Sequence, residues 1–414
     1  KIDRDALRVR EEPRGSGMGF VAPETYLERG LAEIWQQLLP VQQVGAQDDF
    51  FALGGHSLLA TQLVSRVRER FGVALSLREV FEHPVLVSLA ELLSSRAGNR
   101  ADAPEPLARV AHGATAPLSF AQERLWFLNQ LLPDSAVYNI AAAIRLSGPL
   151  NEPALLRSLT YVLQRHESLR TRFLVQGGRP VQVIDAVLQP DLATEMVKGT
   201  TRERGRELAH RRALEEARKG FDLTRGPLLR TKLLRLSDDE AVLVIVAHHI
   251  VADGWSVGVL CSDWIAAYAR YTQGLPATEP LELGIRYRDY VVWEREKRTS
   301  GELVRQLEYW KAQLGGELPP LLLPFDRAHP ERTSYIGGRV ALELPHDAVL
   351  ALRELAQAEA ATPHMALLAV FSMLLARITG GDDFCIGSPV VNRRRSELEP
   401  LVGMFVNTLV LRIR

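Results

Sequence analysis

The spacing of apolar residues divides the chain into two parts with different patterns. Over residues 25–38 apolar positions recur every three or four residues, which predicts an amphipathic helix, and Thr25 with Glu28 has the form of its capping box. Residues 59–71 and 85–93 show the same spacing. Three or four short helices within about 75 residues predict a small all-α helical bundle, close to the lower size limit for an independent core.

The remainder of the chain has a mixed pattern. Residues 96–116 are rich in Arg, Ala, Gly, Asp and Pro and have no apolar periodicity, so we expect an interdomain linker. Beyond it, 241–247 and 339–344 have the apolar, β-rich composition of strands, whereas 203–219 and 349–360 have helical spacing. The sequence therefore predicts a multidomain protein in which a mixed α/β or α+β domain of about three hundred residues follows the bundle.

Composition excludes several classes of protein. The chain has 414 residues, of which 46% are hydrophobic and 24% charged, so it is not disordered, collagen-like or coiled-coil. Lys and Arg (50) balance Asp and Glu (50), which gives no reason to expect nucleic acid or a membrane as partner. The N-terminus has no signal-peptide pattern, and the longest apolar run, 365–376, is too short to span a bilayer. With only two distant cysteines, Cys261 and Cys385, we expect a cytoplasmic protein.

A serine at the start of the second predicted helix is the first candidate site. Ser57 follows Gly54-Gly55-His56, and by itself this pattern fits an N-cap as well as an attachment point for a phosphodiester, which free N–H groups of a first helical turn would stabilise. The segment from about residue 23 to 93 resembles a peptidyl carrier protein of a nonribosomal peptide synthetase. The resemblance implies that Ser57 bears 4'-phosphopantetheine, attached by a phosphopantetheinyl transferase, whose thiol holds an aminoacyl or peptidyl thioester.

Residues 1–7 are similar to the last motif of an adenylation domain, which implies an upstream adenylation domain as partner. Lys1 belongs to that motif, and we assign it no role here. We therefore expect an adenylation-domain tail and linker at 1–20, a carrier at 21–95 and a linker at 96–116.

A histidine pair is the second candidate site. His248-His249 precedes Asp253-Gly254 and follows the predicted strand 241–247. Because strand side chains alternate between faces, the two imidazoles would point in opposite directions and form a poor metal pair, so we expect no metal. Taken alone, the motif also fits core histidines followed by a simple turn.

Four further motifs accompany the histidine motif along the chain. From residue 118 to its end the sequence resembles the condensation domains of nonribosomal peptide synthetases, which share the chloramphenicol acetyltransferase fold. The other motifs that carry the resemblance are 119–126, 165–173, 287–293 and 386–409. The resemblance implies two α/β lobes, at 117–285 and 286–414, with the second incomplete, since the family continues well past the 405–408 motif.

The resemblance also implies roles for single residues. His249 is the active-site group and His248 its structurally important neighbour. Asp253 is a structural aspartate that pairs with Arg393, and Gly254 permits a tight turn. The implied reaction is attack by the amine of a downstream, carrier-bound acceptor on the donor thioester; His249 acts as a general base or as a positioning group.

Two details refine this function, and two alternatives compete with it. His56 before Ser57, and Trp255-Ser256 after the aspartate and glycine, resemble the subclass with an L-configured donor, and a carrier ahead of a condensation domain is normally its donor. The alternatives are an epimerase-like relative of the same fold and a non-catalytic domain that only docks the carrier.

Overall fold

The structure is a computed structural model that describes residues 20–96, 107–110, 113, 115–133, 135–277, 282–297, 301–327, 335, 337–359, 361–393 and 395–414. The adenylation-like motif at 1–7 and most of the predicted linker lie outside these residues. The fold class is the predicted one: a small all-α bundle precedes a two-lobed α/β domain.

Four helices form the N-terminal bundle, and their bounds are Tyr26–Leu38 (α1), Ser57–Phe71 (α2), Leu77–Glu82 (α3) and Leu86–Arg96 (α4). At the start of α1 the Thr25 hydroxyl accepts the Glu28 N–H at 3.1 Å. The Glu28 carboxylate accepts the N–H of Glu24 at 2.8 Å, so only half of the predicted capping box forms.

The bundle has a core of its own. Trp35 and Phe50 are fully buried and meet edge to face, with ring centroids 5.1 Å apart. The hydrophobic cluster around them draws its described members only from between residues 27 and 93. The bundle therefore buries its apolar faces internally rather than against the second domain.

The first lobe of the second domain contains two sheets and four helices. The strands are Thr115–Pro117 (β1), Asn139–Ser147 (β2), Thr171–Gln176 (β3), Arg179–Ile184 (β4), Leu192–Met196 (β5), Leu229–Ser237 (β6) and Glu240–His248 (β7). The helices are Phe120–Leu131 (α5), Glu152–Arg165 (α6), Arg202–Ala217 (α7) and Gly254–Thr272 (α8). One sheet has the order β1-β4-β3 and the other β2-β7-β6-β5. The predicted strand 241–247 is confirmed as β7, a central strand buried between two hydrophobic clusters.

The second lobe is mainly helical, with helices Tyr287–Lys297 (α9), Gly301–Leu314 (α10), His346–Ala358 (α11) and Pro363–Thr379 (α12) and strands Phe384–Val390 (β8) and Asn407–Ile413 (β9). The two strands pair antiparallel over their whole length. β1 takes in Thr115 and Ala116, which the sequence analysis placed in the linker.

One strand prediction is wrong. Residues 339–344 belong to no strand, and Val340 is 94% exposed. A strand needs a hydrogen-bonded neighbour, and no described strand pairs with this segment.

Among the described residues no single helix has both the length and the apolar composition needed to cross a membrane. Only α11 and α12 taken together meet that test, and the break between them bends the pair by 108°.

Candidate active site at the end of the central strand

The two histidines of the motif occupy different environments. β7 ends at His248, whose N–H donates to the Leu228 carbonyl at 3.0 Å, and the His249 N–H donates to the Tyr138 carbonyl at 2.7 Å. His248 is 1% exposed, whereas His249 is only half-buried. Only His249 is therefore open to a substrate.

The His248 imidazole supports the turn that follows the strand. Its Nδ1 accepts the Ile250 N–H at 3.1 Å, which fixes the proton of the neutral ring on Nε2. Burial, with a smaller contribution from the neighbouring His249, lowers the pKa of His248 to about 4. This histidine is neutral near pH 7 and shapes the loop without facing solvent.

The His249 imidazole lies against a sulfur atom from the second lobe. Its Nδ1 is 3.1 Å from Met404 Sδ, and Met404 is itself buried. Burial lowers the pKa of His249, and nearby backbone carbonyls and the Asp253 charge only partly offset this effect. A neutral imidazole near pH 7 is able to accept a proton or a hydrogen bond.

Asp253 is buried completely, and its carboxylate organises the turn after the histidines. Oδ1 accepts the N–H of Ser256 at 2.8 Å and its hydroxyl at 2.7 Å, which caps the first turn of α8. Oδ2 accepts the Phe405 N–H at 3.1 Å. Both Asp253 oxygens are therefore engaged in contacts that join the start of α8 to the backbone at Phe405.

Arg393 joins this aspartate to the second lobe. Its Nη2 donates to Asp253 Oδ1 at 3.1 Å, and its Nη1 donates to the carbonyls of Leu398 and Leu401 at 2.6 and 2.7 Å. The guanidinium also lies 3.8 Å from the centre of the Phe405 ring. The structure thus brings together the aspartate and the arginine that the sequence analysis paired.

Arg393 and residues 395–405 lie between β8 and β9 and contact the first lobe; we term these residues the crossover loop. Ser168 Oγ donates to the Val402 carbonyl at 2.8 Å, and Tyr287 OH donates to the Met404 carbonyl at 2.7 Å. Trp255 Nε1 donates to the Glu399 carbonyl at 2.9 Å. These bonds hold the loop so that Met404 reaches His249.

Sequence reasoning anticipated no contact for three residues of this arrangement: Trp255 and Ser256 were used only to indicate the donor subclass, and Met404 was given no role of its own. Ser256 Oγ accepts the Gly403 N–H at 3.1 Å and lies 3.0 Å from the Gly403 carbonyl oxygen. Each of these residues lies within or directly after a motif that carries the family resemblance, but the position of a residue in a motif does not show which partner its side chain contacts.

Position 254, where Gly254 was expected to permit a tight turn, does not have a backbone conformation that favours glycine. Gly254 is the first residue of α8, its φ lies outside the left-handed region, and an added Cβ would meet no atom within 4 Å. An alanine would fit this turn, so the turn itself does not require glycine.

In the carrier-like bundle, two glycines shape the approach to Ser57. Gly54 has φ +99°, and a Cβ on Gly55 would lie 2.4 Å from Phe50 atoms, so both positions favour glycine. α2 begins at Ser57 and runs for 15 residues, and the residue before it, His56, caps the helix without a side-chain hydrogen bond. The first turn of α2 therefore lacks a capping oxygen from His56, and its geometry suits an attached phosphodiester. The Ser57 side chain lies outside the described part of the structure.

No group of three or more His, Cys, Asp or Glu side chains suited to a metal ion occurs within the residues that the structure describes. A cavity of about 340 Å³ borders the crossover loop at Leu401 and Val402, but His249 is not among its lining residues. Five arginines line it, and three of these, Arg109, Arg165 and Arg288, form ion pairs with Glu282, Asp263 and Glu167. The cavity is therefore separate from the histidine motif.

Comparisons with known proteins give a family for each of the two domains. The family model described as a condensation domain matches residues 113–414, and the one described as a phosphopantetheine attachment site matches residues 29–93. A linear gramicidin synthase protein of Brevibacillus parabrevis is 44% identical over 100% of this chain, which spans 8% of that protein's length.

Two solved structures resemble the second domain. An X-domain from teicoplanin biosynthesis, in complex with OxyB, is 30% identical with a TM-score of 0.67; the match covers 74% of this chain and 67% of that one. The condensation domain of the Monacolin K polyketide synthase MokA is 26% identical with a TM-score of 0.62, covering 74% and 69%.

Proposed function

The chain belongs to the condensation-domain family, preceded by a phosphopantetheine carrier domain as in nonribosomal peptide synthetases, and from this premise we propose that its two domains work together to form an amide bond. The observation that carries the proposal is His249, a half-buried imidazole with a lowered pKa that the crossover loop contacts through Met404. The donor is an aminoacyl or peptidyl thioester, and the acceptor is an amine on a downstream carrier.

The cofactor of the carrier domain is 4'-phosphopantetheine, which supplies a flexible thiol that holds an acyl group as a thioester. We propose Ser57 as its attachment point, because Gly54 and Gly55 lead into the first turn of α2 at this residue and the His56 side chain does not cap that turn. Free N–H groups and the helix dipole in that turn favour a phosphodiester. A phosphopantetheinyl transferase is the partner that this modification requires.

The proposed reaction forms a C–N bond and breaks a C–S bond. The acceptor amine attacks the thioester carbonyl, the thiolate leaves, and the amine loses a proton. A free α-amino group has a pKa of about 7.7 to 8.0, so a neutral imidazole assists by accepting that proton or by orienting the nitrogen. Because Nδ1 faces Met404, we place this contact at His249 Nε2.

The other predicted site residues act through His249 in this proposal. His248 holds the turn after β7, while Asp253 and Arg393 fix the crossover loop against α8. Gly254 leaves open space at the start of α8. Positioning the two carrier-bound thioesters next to each other supplies a large share of the rate acceleration in reactions of this kind.

We propose further that Ser57 holds the donor and that the donor has the L configuration. The first part rests on the order of the domains, carrier before condensation domain. The second rests on the residues His56 and Trp255-Ser256, which resemble those of the L-donor subclass. An upstream adenylation domain would load this carrier.

The test begins with coenzyme A and a phosphopantetheinyl transferase. Intact-protein mass spectrometry should show a phosphopantetheine-sized gain in the wild-type chain and none in the Ser57→Ala variant. The same reaction with aminoacyl-coenzyme A then loads the donor, and an amino acid N-acetylcysteamine thioester serves as acceptor. L and D donors are compared, and a dipeptide product formed from the L donor supports the proposal. A loaded wild-type chain that forms no dipeptide would contradict catalysis.

The second candidate function is a docking domain without condensation activity. The similarity to an X-domain solved in complex with OxyB favours it, because that domain binds another protein. An epimerase-like relative is a further alternative within this fold. Conversion of the L donor to the D isomer on Ser57, followed by chiral analysis after hydrolysis, identifies the epimerase, and the absence of both reactions identifies the docking domain.

A further inference from the structure

One face of helix α2 in the carrier lies against the crossover loop. Gln62, Ser65, Arg66 and Glu69 stand at helix positions i, i+3, i+4 and i+7, so their side chains share one side of the helix. The Ser396 N–H of the loop donates to Ser65 Oγ at 3.0 Å across 331 residues of sequence.

The same face makes further polar contacts with the loop. Ser396 Oγ is hydrogen-bonded to the Glu69 carboxylate. The carboxylate of Glu399 receives a hydrogen bond from Gln62 and lies 3.9 Å from Arg66 Nη2. Glu399 is the more enclosed partner of this pair, with 17% of its side chain exposed, compared with 27% for Arg66. Donors and acceptors on helix and loop are therefore matched in position.

This contact is polar and leaves the two hydrophobic cores separate. The described core of the carrier lies between residues 27 and 93, and the described core clusters of the second domain contain no residue from that range. Interfaces of small area held by hydrogen bonds and a weak ion pair are typical of transient association. A carrier that must also reach other domains needs a contact of this kind.

The loop that contacts the carrier also contacts the candidate active site. The Glu399 carbonyl accepts Trp255 Nε1 at 2.9 Å, and Met404, five residues further on, lies 3.1 Å from His249. Arg393 holds the part of the loop around Glu399 through hydrogen bonds to the Leu398 and Leu401 carbonyls. The two ends of one fixed loop thus face the carrier and the catalytic histidine.

We propose that residues 396–399 form the surface on which the condensation domain docks the carrier of its own chain, and that this surface recognises the α2 face of Gln62, Ser65, Arg66 and Glu69. Recognition is by polar complementarity and is independent of the group attached to Ser57. The inference rests on the proposed function in one respect: the docked helix, α2, begins at Ser57, the proposed attachment point of the cofactor.

Hydrogen–deuterium exchange on the full unmodified chain tests the docking surface. In Arg66→Glu a carboxylate would face Glu399 and Glu69, and in Ser65→Tyr a bulky ring would replace the acceptor of the Ser396 N–H. Peptides that cover 395–402 should exchange roughly two- to fivefold faster in both variants, the range expected for losing a partly exposed ion pair. Raising the salt concentration should increase exchange in the wild type.

Matched controls separate docking from damage to the carrier. Arg70→Glu removes a cation from the same helix, but Arg70 pairs with Glu33 of the carrier at 2.6 Å, and Ser95→Tyr adds a ring on the exposed side of α4. Both should leave exchange over 395–402 at the wild-type rate. The proposal would be overturned if exchange over 395–402 were unchanged in Arg66→Glu and Ser65→Tyr while α1 and α4 stayed protected. It would also be overturned if the control variants accelerated exchange over 395–402 by the same factor. Neither result depends on a loaded arm or on dipeptide formation, so the proposed function is judged separately.

Discussion

Arg393 donates to Asp253 at 3.1 Å although 140 residues separate them, and their side chains are 1% and 0% exposed. The ion pair joins the turn after the histidines to the crossover loop, which reaches His249 through Met404. Removing one partner of a buried pair leaves the other charge without compensation, and this loss is far larger than that of a surface pair.

We therefore expect Asp253→Asn to lower the free energy of unfolding by about 3 to 5 kcal/mol. Urea unfolding followed by tryptophan fluorescence measures this change. The control is Asp239→Asn, which removes an exposed pair to Arg202 at 3.4 Å and should cost under about 1 kcal/mol. Equal losses in the two variants would show that the buried pair does not hold the lobes together.

Substitution of His249 tests its role in the reaction. His249→Ala should slow dipeptide formation by roughly 10²-fold or more if proton transfer dominates, and by a smaller factor if proximity dominates. Phosphopantetheine attachment should be unchanged, because it takes place on the other domain. Single-turnover assays of the loaded protein measure the rate, with His210→Ala on the exposed side of α7 as control. An unchanged rate in His249→Ala would remove this residue from the mechanism.

Two glycine substitutions should have opposite effects on stability. Gly254→Ala introduces a Cβ into open space in a helical first turn, so it should leave the free energy of unfolding unchanged or raise it by up to about 1 kcal/mol. Gly55→Ala places a Cβ 2.4 Å from Phe50 atoms and should destabilise the carrier. Thermal unfolding of the two variants gives the comparison. A large loss of stability in Gly254→Ala would mean that the turn requires glycine after all.

The pH dependence of stability should reveal the burial of His248. Its pKa is about 4 in the folded chain and 6.5 for the free side chain, so between these values the unfolded state binds more protons. The free energy of unfolding therefore rises with pH across this window, and the contribution of His248, about 3 kcal/mol when complete, is present above pH 6.5 and lost as pH falls towards 4.

His248→Asn supplies the comparison for this effect, because the amide oxygen of asparagine is able to accept the Ile250 N–H in place of Nδ1. Urea midpoints of wild type and variant, measured between pH 4 and 7, should converge as pH falls, since every other titrating group is common to both. If the urea midpoints of the two proteins changed in parallel with pH, His248 would not be buried in its neutral form.

Local structure and family membership could be predicted from the order of residues alone. Helical spacing predicted α1, α2 and α4 of the bundle, a continuous apolar run predicted β7, and the motifs around Ser57 and His249 predicted both domains. These features depend on residues close together in the chain, so periodicity and motif spacing record them.

The pairing of distant atoms became visible only in the folded chain. The contact of His249 with Met404 spans 155 residues and that of Ser65 with Ser396 spans 331, and no pattern of nearby residues specifies either pairing. The segment 339–344 shows the converse case, since it has the composition of a strand and no described partner to pair with. Hydrogen bonds of strands and buried side chains are completed by partners far along the chain, and folding alone brings those partners together.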